Sequence, residues 1–126
     1  MQAGVIQQSM KGFVTNIEQH TMDNNYFRKV IHTAPHLQLV LMSLYPGQDI
    51  GAEIHDDLDQ FIRIESGNGL VILDDRQITI EEDSAIIIPR GMHHNLINTS
   101  SSEYLKLYAI YSRPEHDAFA QEQKFA

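Results

Sequence analysis

Short runs of apolar and β-branched residues recur along this chain at roughly ten-residue spacing, and each one stops at a cluster of glycine, proline, serine or aspartate. Leu37 to Tyr45 ends at Pro46-Gly47. Leu70 to Leu73 and Gln77 to Ile80 flank Asp74-Asp75-Arg76 in the manner of a hairpin, and Ala85 to Ile88 reads as a buried strand. Tyr104 to Tyr111 alternates and is closed by Ser112-Arg113-Pro114. Roughly seven or more short strands at such spacing have few architectures open to them, namely an all-β sandwich or barrel, and a jelly roll fits best. No internal repeat or low-complexity tract interrupts the pattern. Thr21 to Thr33 and the tail from Pro114 are the least β-like parts and are expected at the periphery, where either has room for a short helical turn.

Composition narrows the function. A chain of 126 residues is long enough to enclose one core, and a single domain over 1–126 is expected. The formal net charge of -8 and the lack of a basic run set the chain against nucleic acid and anionic membrane. The absence of cysteine excludes disulfides, thiolate ligands and a cysteine nucleophile. The start, Met1 to Gln8, has neither a basic region nor a sustained apolar stretch, and no later segment approaches the roughly 18 apolar residues of a membrane span, so the cytoplasm is the expected compartment. No Ser-His-Asp arrangement, phosphate loop or nucleotide fingerprint is present.

Two clusters carry chemistry. Glu53 and His55 are two apart, so in an extended chain both project the same way. After the turn Asp56-Asp57-Leu58-Asp59, the run from Gln60 to Glu65 places Gln60, Ile62 and Ile64 on one face, expected to look inward. The second cluster, Pro89 to Asn98, is a Pro-x-Gly corner leading into a strand with His94, Leu96 and Asn98 on one face. Glu53, His55, Gln60 and His94 are therefore the candidate metal ligands.

The first cluster runs Gly47, five residues, Glu53, one residue, His55, four residues, Gln60, six residues, Gly67, and resembles the first motif of the cupin superfamily, G-x5-H-x-H-x4-E-x6-G. The second runs Asp83, five residues, Pro89, Arg90, Gly91, two residues, His94, three residues, Asn98, and resembles the second motif, G-x5-P-x-G-x2-H-x3-N. Every spacing agrees, and three residue types depart. Glu53 stands for the first histidine, Gln60 for the glutamate and Asp83 for a turn glycine, a place where aspartate is tolerated.

The resemblance implies a cupin-type double-stranded β-helix with its core at about 37–111, and a peripheral N-terminal segment (1–36) and tail (112–126). It also implies one divalent metal ion per chain held by Glu53, His55, Gln60 and His94. The family's set of three neutral histidines and one carboxylate carries one negative charge, and so does this one. Two imidazoles and two oxygens suit iron, manganese, zinc or nickel. Gln60 has two readings, a ligand through its carbonyl oxygen or a hydrogen-bond partner of a bound water. Without it, Glu53, His55 and His94 still form a two-histidine, one-carboxylate set of the kind that holds non-haem iron.

What the resemblance implies about function is a small-molecule metalloenzyme acting on a sugar, sugar acid or keto acid with isomerase-like chemistry, Glu53 being a ligand or, if released, a base. Similar small cupins with glutamine at the Gln60 position include proteins linked to uronate breakdown. The alternatives are a non-haem iron dioxygenase and a non-enzymatic binding or sensing module. The short gap Asn68 to Glu82 resembles that of small microbial cupins that form homodimers.

Other residues take plainer roles. His93 faces away from His94 in a strand, and His20, His32, His36 and His116 are left off the ligand set. Asp56, Asp57 and Asp59 form a solvated turn. Tyr104, Lys106 and Tyr108 share the polar face of their strand, at the surface, a dimer interface or the pocket rim, while Leu105, Leu107, Ala109 and Tyr111 belong to the core. Phe61 and Arg63 point away from Gln60 and are interface candidates.

Overall fold

A computed structural model describes residues 8–123. Of the start read above for its lack of a leader, all but Gln8 lies outside the described residues. Within them, nine strands and one helix follow in order: α1 (Ile17–Asp23), β1 (Arg28–Thr33), β2 (Gln38–Leu44), β3 (Gln60–Ser66), β4 (Gly69–Leu73), β5 (Arg76–Ile80), β6 (Ala85–Ile88), β7 (His94–Asn98), β8 (Leu105–Tyr111) and β9 (Gln121–Glu122). A six-stranded sheet has the order β6-β3-β8-β2-β1-β9, and a three-stranded sheet the order β5-β4-β7. All these pairings are antiparallel. This is the expected double-stranded β-helix.

Alternation builds the core. Ile62 and Ile64 on β3 stand opposite Ala109 and Leu107 on β8, and Val71 on β4 opposite Leu96 on β7. All six are buried. Burying each leucine or isoleucine side chain is worth about 1.5–3 kcal/mol, so a one-residue slip of β3, which would expose Ile62 and Ile64 together, is strongly disfavoured. That register puts Gln60 opposite Tyr111 at the end of both strands.

The turn expectations hold in detail. Asp74 (φ 54°) makes the tight turn between β4 and β5, and Asp83 (φ 71°) adopts the left-handed conformation at the position where cupins usually have glycine. Asp83 adds what a glycine could not, accepting a hydrogen bond from Arg63 Nη2 at 2.7 Å. Asn98, the last residue of the second cluster, is fully buried; its Nδ2 donates to the carbonyls of Leu44, Tyr45 and Glu103. Its role is to tie loops together.

Several expectations change. Within Thr21 to Thr33 only the start is helical, as the end of α1, while Arg28–Thr33 is a full strand. A bulge between Val30 and His32 breaks its alternation, and so hides it from pattern reading. The tail is less peripheral than expected, because β9 pairs with β1. β6 is buried on one side only, Ile87 being 69% exposed. Lys106 is not at the surface. It is buried beneath the loop that leaves α1, with Nζ donating to Asn24 O and to Asn25 Oδ1. In the Asp56 to Asp59 turn, Leu58 drops into the core and Asp59 Oδ1 accepts from Arg90 N at 2.9 Å.

Candidate metal centre

Glu53 lies in no strand, yet it is held as one residue of a ladder. Its N–H donates to His94 O at 2.8 Å and its carbonyl accepts from His94 N at 2.9 Å. Residues in such a mutual pair carry their side chains on the same face. His55 follows two residues later, and its carbonyl accepts from Gly91 N at 2.7 Å, which locks the Pro-x-Gly corner against it. The result is that one ligand-type atom from each of Glu53, His55 and His94 falls within 4.8 Å of the others. His93, on the opposite face, is exposed.

The donor chemistry fits a cation. His94 Nδ1 lies 3.1 Å from Met92 O, and a carbonyl can only accept, so Nδ1 carries the proton and Nε2 presents a lone pair. That Nε2 is buried without a hydrogen-bond partner. His55 Nε2 is also without one: Glu53 Oε2 is 3.2 Å away but not aligned as an acceptor. Two orphaned imidazole nitrogens beside a carboxylate are costly unless something electropositive engages them. Burial holds His94 below the ordinary histidine pKa, which keeps its lone pair available. The Glu53 carboxylate raises His55 against the effect of burial, with Glu115 adding to the rise. For Glu53, burial pushes upward, but His55, Arg28 and His94 together outweigh it and the carboxyl ionises more readily than usual.

Gln60 is buried beside this group. Its Nε2 donates to Tyr111 Oη at 3.3 Å, and Oε1, the atom a metal would use, has no hydrogen-bond partner. The Tyr111 ring stands edge-on to His55 at 5.8 Å between centroids. Pattern reading places Tyr111 in the core, which is right for its ring, but gives no hint of the hydroxyl's place near the site.

Other residues at the site escape the sequence altogether. His116 Nε2 lies 3.4 Å from Tyr111 Oη. Glu115 Oε1 is 3.8 Å from His55 Nδ1, and Arg28 Nη2 is 3.9 Å from Glu53 Oε1. The tail residues are placed by Gln38, which is fully buried. Its Oε1 accepts from Glu115 N and His116 N, both at 2.9 Å, while Nε2 donates to His116 O at 2.6 Å and Thr33 Oγ1 at 3.0 Å. A buried amide with both ends satisfied fixes the tail across the barrel mouth.

Burial pushes His116 down to about 4. The native state therefore keeps it neutral down to about that pH, whereas the unfolded chain takes up a proton below the ordinary value of 6.5. The unfolded state binds more protons in that window, so stability falls as pH drops from 6.5 toward 4. His55, raised by Glu53, works in the opposite direction. Urea unfolding of metal-free protein across this range should show the wild type losing on the order of 1–3 kcal/mol more than His116→Gln; parallel curves would remove His116 from the account.

Comparison with known proteins agrees with this architecture. Residues 40–111 match the family model described as Cupin domain. The chain is 48% identical over 107 residues to an uncharacterized protein of Acanthamoeba polyphaga mimivirus, covering 82% of this chain and 67% of that one. It is 47% identical over 112 residues to the uncharacterized protein YrkC of Bacillus subtilis strain 168, covering 84% of this chain and 60% of that one. The chain thus spans about two thirds or less of these relatives' lengths. A crystal structure of a Bacillus halodurans protein superposes with a TM-score of 0.89 at 42% identity, covering 94% of each chain. With the family's spacing along the sequence, its two sheets in the fold and its model matched over 40–111, the chain belongs to the cupin family.

Proposed function

We propose that this cupin is a small-molecule metalloenzyme that binds one divalent ion through Glu53, His55 and His94, with Gln60 Oε1 as a weaker fourth ligand, and acts on a sugar, sugar acid or keto acid. The observation that carries the reading is the convergence of three ligand-type atoms within 4.8 Å, with both histidine Nε2 atoms orphaned. A bound ion would supply Lewis-acid polarisation of a carbonyl or hydroxyl oxygen. Glu53, ionised and a neighbour of both His55 and Arg28, is the group able to accept a proton if it leaves the ligand set. Gln60, Tyr111 and His116 supply amide, hydroxyl and imidazole for orienting a polar molecule.

The two-histidine, one-carboxylate set also favours a second reading, a non-haem iron dioxygenase. That reading requires bound iron and oxygen consumption. A homodimer is part of the proposal. Its support is the outer face of the larger sheet, where Leu37 and Ile87 are 54% and 69% exposed and line a shallow hollow with Phe61 and Ile110.

Elemental mass spectrometry on untagged protein, as purified and after reconstitution with Fe(II), Mn(II), Ni(II) and Zn(II), tests the reading. Near-stoichiometric metal is expected, and its identity selects the chemistry to screen. No binding under any condition would put a metal-free binding or sensing module in first place.

A further inference from the structure

Arg28 borders the site with one edge of its guanidinium unused. Nη1 donates to Glu122 Oε2 at 2.5 Å. Nη2 is 3.9 Å from Glu53 Oε1, an ion-pair distance beyond hydrogen-bond reach. Nε is buried with no hydrogen-bond partner, although the side chain as a whole is only 13% exposed and a buried charge of this kind normally has its donors satisfied. The Phe27 ring stacks near the guanidinium, with Cζ 5.2 Å from its centroid. Nε and Nη2 make up the edge of arginine that meets both oxygens of a carboxylate at once.

The surroundings favour a ligand on that edge. Arg28 lines a cleft of about 430 Å³ together with Ile50, Glu53 and Glu122. Glu53 belongs to the ligand group, so in the metal-bound protein its charge is directed to the cation. Glu122, the other partner, comes from the two-residue strand β9 and is 45% exposed, and an ion pair that open to water holds weakly. Among the described residues, Arg28 is then the cation in contact with the site that is placed to take an anionic group from a bound molecule.

We infer that Arg28 recognises a carboxylate on the molecule bound at the metal centre, through its Nε and Nη2 edge, so that the site selects a keto acid or sugar acid over a neutral sugar. The inference rests on the metal-centre reading for where the rest of the molecule lies. Glu122 is the resident counter-ion of the unliganded state.

Calorimetry with pyruvate and with hydroxyacetone, which keeps the carbonyl and lacks the carboxylate, tests this on the full chain loaded with Zn(II). The wild type is expected to bind pyruvate at least about 10-fold tighter than hydroxyacetone. Arg28→Gln should erase the preference while retaining wild-type metal content by elemental analysis. Arg28→Lys should restore only part of it, because an ammonium cannot form the two parallel bonds. Glu122→Gln should keep or strengthen it. Unchanged pyruvate affinity in Arg28→Gln, or no pyruvate binding by the wild type, overturns the inference and leaves a metal-bound centre standing. Arg28-dependent pyruvate binding in a protein that holds no metal would do the reverse.

Discussion

Metal affinity is expected to fall roughly 100-fold or more in His94→Ala and to stay near the wild-type value in His93→Ala. The two residues are neighbours in sequence and similar in charge and size, so a contrast between them reads the geometry alone. His94 is buried, with Nδ1 held by Met92 O and Nε2 orphaned toward Glu53 and His55. His93 is exposed on the other face, its backbone N–H bound to Asp74 Oδ1 at 3.1 Å. Glu53→Ala should lose metal as His94→Ala does, since it removes the only carboxylate of the group. Titration with Zn(II) against a competing chelator gives the affinities, and circular dichroism confirms that each variant is folded. Equal loss in all three variants would mean that β7 runs in the other register.

That register is legible in the sequence because strand alternation has a period of two. Glu53 with His55, and His94 with Leu96 and Asn98, share faces for this reason, and the spacing of glycine and proline around them marks where each segment turns. Gln60 follows the same rule through Ile62 and Ile64. Arg28, Glu115 and His116 obey no local rule. Arg28 meets Glu122 across 94 positions of sequence, and His116 is placed by Gln38 across 78. Such contacts depend on how the tail returns over the barrel mouth, which periodicity does not encode. Lys106 shows the complementary failure: alternation correctly gives it the outer face, but the loop after α1 covers that face and buries it. The pattern identifies faces, and only tertiary packing decides whether a face meets water, a loop or a ligand.

Gly67→Ala should destabilise the fold by about 3–4 kcal/mol, while Gly47→Ala and Gly91→Ala should each cost about 1–2 kcal/mol. All three glycines belong to the paired clusters and all have positive φ, 101° at Gly67 and 80° at the other two. Each substitution therefore incurs the left-handed backbone penalty. What separates them is space. A Cβ at Gly67 would lie 2.6 Å from Tyr104 O and 3.1 Å from Leu105 Cα, both backbone atoms at the entry to β8, whereas at Gly47 and Gly91 it would meet nothing within 4 Å. Backbone cannot step aside as a side-chain tip can, so β8 must shift, and Leu105 and Leu107, both fully buried, would shift with it. Because β8 also carries Tyr111, the movement would reach the site. Urea unfolding should place Gly67→Ala well below the other two, with metal affinity reduced in that variant alone. A Gly67→Ala protein as stable as Gly47→Ala would show that β8 has slack there, and that this motif glycine serves its turn and not the packing of the barrel.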